Sequence, residues 1–172
     1  PGASEDAEAP AEDETPAETE TPQEPAEKAF TDVPEGKWYT EAVAYVVEAG
    51  LMSGATEGTF APKAELTGEE LAAIAKAMDA DATVAADGTV TREALVKFLF
   101  AAAGIEAVTT EENLEPFGDQ DQISEDAVMM MNWAVGQGIL TGRTENQLAP
   151  QEAVTRAECA VMLMRCAEAV GQ

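Results

Sequence analysis

"YVVEAGLMSGATEGTFAPKAELTGEELAAIAKAM" (45–78) and "WAVGQGILTGRTENQLAPQEAVTRAECAVMLMRC" (133–166) align without a gap at an offset of 88 residues. A chain that repeats itself over such a length folds as copies of one supersecondary unit. Each unit is too small to bury its apolar face alone. Gly50 meets Gly138, Gly54 meets Gly142, Phe60 meets Leu148, Pro62 meets Pro150 and Thr67 meets Thr155. Upstream, "FTDV" (30–33) meets "FGDQ" (117–120) at an offset of 87. Between the two full copies, "ADGTVTREALVKFLFAAAG" (86–104) matches only the later half of the unit.

Each full copy begins with Phe-x-Asp and a turn, runs into a helix that ends at glycine, passes through a Gly-containing loop, and opens a second helix at threonine. The first helix is expected over roughly 40–49, with Thr40 as its cap and Gly50 as its stop, burying Val43, Val46 and Val47. In the last copy Ser124 is the expected cap and Gly138 the stop, with Val128, Met131 and Val135 facing inward. The second helices carry Leu71, Ile74, Ala75 and Met78; Leu95, Phe98, Leu99 and Ala102; and Cys159, Met162, Leu163 and Cys166. All three sets follow i, i+3, i+4, i+7, the mark of one buried helical face. The methionines at 129–131 and at Met162 and Met164 read as core filler. Packing three one-faced helices together is the economical solution. The expected architecture is all-α, a pseudo-threefold bundle of helix-loop-helix repeats: repeat one 30–80, a truncated half repeat 81–108 and a last repeat 116–169.

Residues 1–29 are Glu, Ala, Pro and Thr with no large apolar residue, holding ten acids and the single base Lys28. Such a segment cannot bury enough surface to offset its ordering entropy, so it reads as a disordered acidic linker: a stalk or a solubilising tail. The remainder, 30–172, still has 24 acids against 8 bases, and the whole chain carries a formal charge of −25. That balance excludes nucleic acid as a general partner. No apolar run reaches the ~20 residues of a membrane span, so no membrane insertion is expected. The chain opens at Pro1 without a signal-peptide pattern, which reads as an intracellular protein or a mature or trimmed form. With no histidine, the commonest general base and metal ligand is missing. Cys159 and Cys166 lie on one predicted helix, ~10 Å apart, too far to bridge, and read as buried free thiols. The acids of "FGDQDQISED" (117–126) resemble the start of a calcium loop, but Ser124 and Met130 occupy the positions that require Gly and an acid. Catalysis would rest on carboxylates alone, without an acid pair in an aromatic cleft. A non-enzyme with no metal and no cofactor is expected.

The starts of the second helices pose a question. Thr155-Arg-Ala-Glu158 and Thr67-Gly-Glu-Glu70 fit the capping box, whereas Thr91-Arg-Glu-Ala94 lacks the closing acid. Capping explains the threonines and Glu158 and Glu70, not Arg92 and Arg156, since a cation is mildly unfavourable at a helix N-terminus. Either each arginine pairs with a neighbouring carboxylate, or each joins free helix N–H groups to form a small anion site.

Phe-x-Asp, a Trp-Tyr or Ile-Ser turn, Gly-hydrophobic-hydrophobic-x-Gly, Phe/Leu-x-Pro and Thr-Arg-Ala-Glu, in that order, resemble the S-layer homology (SLH) repeat. The resemblance covers 30–79 and 117–166 well and 88–104 as a half repeat. It implies a pseudo-trimeric module, exported to the bacterial surface. The module would anchor its protein non-covalently to an acidic secondary cell-wall polymer, often one bearing ketal-linked pyruvate, or to modified peptidoglycan. It also implies that the arginine of Thr-Arg-Ala-Glu lines inter-repeat grooves that hold the polymer. The positions carried over are Arg156, with Thr155 and Glu158 shaping its helix start, and Arg92 with Thr91. Repeat one has Gly68 in place of the arginine. Trp133 faces either a sugar ring or the core. Trp38 could stack on a saccharide, though stapling of the helix start is the reading preferred for it. Gly54 and Gly142 allow a tight turn and a close backbone approach to ligand. About 30 residues are missing from the middle repeat. The alternative is therefore a degenerate SLH-derived structural or protein-interaction domain that no longer binds polymer, with a protein partner or self-association instead.

Overall fold

The computed structural model describes residues 30–80, 88–106 and 112–171. The expected linker 1–29 and part of the half repeat, 81–87 and 107–108, lie outside them. Five helices follow in order: α1 (Thr40–Glu48), α2 (Gly68–Ala77), α3 (Arg92–Ala102), α4 (Val128–Gly136) and α5 (Arg156–Ala169), with 3-10 turns at Gln120–Gln122 and Glu125–Ala127. No strand occurs among the described residues, so the all-α expectation holds.

The pseudo-threefold axis is visible in three backbone hydrogen bonds. Leu66 N–H donates to the carbonyl of Val154 (2.9 Å), Val154 N–H to Val90 (2.9 Å), and Val90 N–H to Leu66 (3.0 Å), closing a ring. The three side chains are buried, and the ring satisfies polar groups that water cannot reach there. Two residues after each ring member, a helix starts: α2, α3 and α5. Thr67, Thr91 and Thr155 cap them, and the box is closed by Glu70 and Glu158 but not in α3, as the sequence implies. Of the expected buried faces, Leu71, Ile74 and Ala75; Leu95, Phe98 and Leu99; and Cys159, Met162, Leu163 and Cys166 are buried, while Met78 and Ala102 are half-buried. Both cysteines are free and buried, and burial pushes their thiols up to about 12 and about 11.

The first helix of each full repeat packs on the second helix of the repeat before it: α4 on α3, and, closing the circle, α1 on α5. The helix that would cover α2 belongs to the missing half repeat. α2 is fitted to that loss. At the positions where α3 buries Val96 and Phe100, α2 carries half-buried Ala72 and exposed Lys76. Each large apolar side chain left uncovered there would cost about 2 kcal/mol.

Three expectations are corrected. Thr40 does not cap α1; Tyr39 holds that position, and the Thr40 hydroxyl donates to Pro34 O (2.8 Å) and accepts from Lys37 N (2.9 Å). Ser124 does not cap α4. It heads the 3-10 turn, and its N–H (2.7 Å) and hydroxyl (2.8 Å) donate to Glu93, a buried carboxylate of α3. Because α4 then starts at Val128, the inward phase shifts to Ala127, Met131 and Ala134, and Val128 and Met129 are left exposed.

Candidate inter-repeat site

The loop before each second helix is built from short-range constraints. Asp32 accepts the N–H groups of Phe60 (2.9 Å) and Ala61 (2.8 Å); Asp119 accepts those of Leu148 (3.0 Å) and Ala149 (2.8 Å). Ala61 and Ala149 sit at φ +59° and +54°. This left-handed region costs a residue with a Cβ about 1 kcal/mol. The paired N–H bonds to carboxylate offset that strain. Burial would raise the Asp32 carboxyl, but those two N–H groups and the nearby Arg156 outweigh it and hold Asp32 below its ordinary value. Gly54 and Gly142 are needed for closeness rather than for positive φ. A Cβ on Gly142 would come within 2.8 Å of the Gln147 carbonyl and 2.9 Å of the Phe117 ring. On Gly54 it would meet Thr59 O at 2.8 Å.

Each loop is gripped by an arginine from the preceding repeat. Arg92, only 3 % exposed, donates from Nε to Leu148 O (2.8 Å), from one terminal nitrogen to Thr141 O (2.6 Å), and from the other to Glu158 (3.0 Å). Arg156, 4 % exposed, repeats the pattern on Phe60 O (2.8 Å), Ser53 O (2.5 Å) and Glu70, and lies 4.6 Å above the Phe60 ring. Both arginines therefore pair with a carboxylate, and three of the five N–H donors of each are taken by protein acceptors. Thr155 and Thr91 serve as caps, each accepting from the N–H three residues on.

Two grooves lie beside these clamps. The Arg92 groove, about 270 Å³, is lined by Arg92, the loop Ile139–Arg143 with Gly142, Glu158, Arg165 and Trp38. The Arg156 groove is lined by Gly50–Gly54, Val47, Glu70, Ala73, Ile74 and Arg156. In the first, Glu158 is shared: it closes the cap on Thr155 N–H (3.0 Å), binds Arg92, and receives Arg143 at 3.0 Å. Burial alone would raise the Glu158 carboxyl. The Arg143 hydrogen bond, the Thr155 N–H and the two guanidinium charges overcome burial and hold it below the ordinary glutamate value. Burial lowers Arg92, and Glu158 opposes that shift. Arg143 is raised, chiefly by its hydrogen bond to Glu158.

The structure brings Arg92, Glu158 and Gly142 to one groove and Arg156 and Gly54 to the other. It takes Trp133 away from both: the ring is 8 % exposed and packs edge-on against Phe100 at 5.3 Å, so of the two expectations the core one holds. Trp38 is corrected in the opposite sense. It does not staple a helix start; it is 65 % exposed, stands edge-on to Tyr39 and forms a groove wall. Arg143 and Arg165 were not singled out in the sequence. The one signal was their rarity: they are two of only four arginines in a strongly acidic chain. Among the described residues no cluster of acids or cysteines could hold a metal ion, and no helix is long and apolar enough to cross a membrane.

The S-layer homology domain model matches residues 29–72 and 116–160. The chain is also 28 % identical over 144 residues to the surface-layer 125 kDa protein of Lysinibacillus sphaericus, covering 82 % of this chain and 10 % of that protein. This chain thus spans about a tenth of the relative's length. Two model matches, in the same order as the two full repeats and over more than half of the residues, agree with the ring of Leu66, Val90 and Val154: the chain belongs to the S-layer homology domain family.

Proposed function

We propose that this is a non-catalytic anchoring module of a bacterial cell surface, acting outside the cytoplasm. It binds an acidic secondary cell-wall polymer, such as a pyruvylated one, or modified peptidoglycan. The supporting observation is the Arg92 groove. In a chain of net charge −25, Arg92, Arg143 and Arg165 line one recess with Glu158, while Glu152 pairs with Arg143 beside it. A local positive potential inside a negative surface selects one anionic group and repels an extended polyanion. The groove's volume lies near the lower end of small-molecule sites, which suits a polymer terminus.

In this reading Arg92 and Arg156 act mainly by shaping their grooves. They hold the neighbouring loop by its carbonyls and add positive field. Glu158 sets the positions of Arg92 and Arg143, while Thr91 and Thr155 fix the helix starts. Gly54 and Gly142 let the loop backbone lie against the groove.

The test is co-sedimentation of the chain with purified bacterial wall sacculi, before and after acid stripping of the secondary polymer. Pelleting that disappears with the polymer supports the reading. A folded chain that pellets with no wall overturns it and leaves the alternative of a structural or protein-binding descendant of the family. The half-repeat deletion and the neutralised Arg156–Glu70 pair favour that alternative.

A further inference from the structure

The Arg92 groove is closed on its far side by Trp38, which stands just before α1, the helix that packs on α5. The Arg156 groove has a floor in α2 and a rim in Gly50–Gly54, but the helix that would close its far side is the one the half repeat lacks. The recess left open measures about 370 Å³. Val47, Leu51, Met52, Ala73 and Ile74 line it, and its two charges, Arg156 and Glu70, are paired with each other. The repeat offset of 88 puts Ala55 and Ala77 where the last repeat has Arg143 and Arg165. This groove therefore lacks both a cover and a positive field, and what remains suits an uncharged apolar group.

The same molecule carries such a group elsewhere. The exposed large apolar side chains of the described residues are Trp38, Val128 and Met129. Val128 and Met129 are neighbours in the first turn of α4, 43 % and 47 % exposed. At the matching positions α1 has Thr40 and Glu41, so a first helix does not require apolar residues there. The element missing from the groove is likewise the start of a first helix. Within one chain α4 cannot supply it, because α4 packs on α3 and is fixed there by the Lys97–Asp126 pair (2.8 Å) and by the Ser124 bonds to Glu93. Charge fits as well: exposed Lys76 lies one turn beyond Ala73 on α2, and exposed Glu125 lies four residues before Met129.

An apolar knob and an apolar recess at different places on one molecule make a heterologous contact that does not close on itself. We infer that the first turn of α4 from a second copy of this chain fills the Arg156 groove, with Glu125 beside Lys76, so that modules associate head to tail. Two chains of charge −25 repel one another, so association is weak in dilute solution and strengthens as salt screens the charge. The contact is independent of wall binding and holds equally for a module that has lost it.

The experiment is sedimentation velocity of the whole chain, up to millimolar concentration, in about 0.1 M and about 1 M salt, where the screening length is about 10 Å and about 3 Å. Alongside go Met129→Glu, which installs the residue that α1 has there, and Ala73→Glu, which puts bulk and an acid into the groove. Both positions are exposed, so parent-like melting temperatures will show intact folds. The parent is expected to form dimers and longer species, more of them in high salt, and each variant alone to stay monomeric. An equimolar mixture of the two variants should stop at the dimer, since it joins one intact groove to one intact α4 start. A parent that stays monomeric at both salts, a variant that associates like the parent, or a mixture that gives no dimer overturns the inference. None of these outcomes touches the anchoring reading, which the wall sacculi decide separately.

Discussion

Arg92 of the middle repeat and Glu158 of the last repeat lie 3.0 Å apart, the first almost wholly buried and the second the closing acid of a capping box. One carboxylate thus ties a helix start to the neighbouring repeat. Arg156 and Glu70 do the same between the last repeat and the first. Removing the cation leaves Leu148 O and Thr141 O without their donor. Arg92→Ala is therefore expected to lower unfolding free energy by about 3 kcal/mol, whereas Arg165→Ala should stay within about 0.5 kcal/mol. Urea unfolding of both variants checks this. Equal effects would mean that Arg92 is no clamp.

That relationship also accounts for what the sequence left as separate oddities. The repeat offset, the three buried helical faces, the capping boxes and the buried thiols were legible because each depends on local spacing. Gly68, Ala94 and the missing half repeat looked like independent departures, and Lys76 was not singled out. In three dimensions they share one interface. An arginine at 68 would grip a loop that is not there, the acid that it would bind is absent at 94, and Lys76 faces where the covering helix would lie. Sequence order hid this, because the clamp reaches from one repeat to the next. The groove was hidden for the same reason: Trp38 and Arg165 are 127 residues apart and meet only through α1 packing on α5. Thr40 and Ser124 misled because each is a good cap residue with a stronger tertiary partner.

The depressed Glu158 carboxyl makes the clamp sensitive to acid. A group whose folded value lies below its unfolded value contributes stability above the unfolded value, near 4.3 for glutamate, and loses it as pH falls through the folded value. Glu158→Gln keeps a cap acceptor but removes the charge. The gap in melting temperature between parent and Glu158→Gln is expected to be largest near about pH 7 and to shrink towards zero near about pH 3. The comparison cancels the general relief of negative charge. A gap independent of pH would show that the charge of Glu158 does not matter.

Ala94 offers a gain. It is exposed at the third position of α3, where the other two capped helices carry the closing glutamate. Ala94→Glu supplies that acceptor to Thr91 N–H and places a negative charge at the helix start. Glu93, beside it, is already committed to Ser124. A stabilisation of about 0.5 kcal/mol is expected in thermal or urea unfolding. Destabilisation would mean that the acidic surroundings outweigh the cap.

The thiols give a test of core integrity. With Cys159 at about 12 and Cys166 at about 11, almost no thiolate exists near neutral pH. A disulfide reagent such as DTNB should react with neither in the folded chain within minutes and with both in denaturant. Fast reaction of either in the folded chain would place it at the surface.

Gly142 holds the groove's rim closed, and its loss tests whether the rim matters. Alanine there has no positive φ to overcome, only space. Its Cβ would press on Gln147 O and on the Phe117 ring that anchors the start of the last repeat. Overpacking of this kind costs about 2 kcal/mol, and the nearest relief is for the loop to move outward. The same loop carries Thr141 O, which Arg92 holds, and Arg143, which Glu158 holds. Gly142→Ala should therefore lose stability and also loosen Arg143 in the groove. Gly54→Ala, its counterpart in the Arg156 groove, should cost similar stability without affecting binding to wall sacculi. Both quantities come from one pair of proteins: unfolding free energy by urea, affinity by co-sedimentation at a temperature where each is folded. Equal affinity loss in the two variants would mean that neither groove has the privilege assigned to the one beside Arg92.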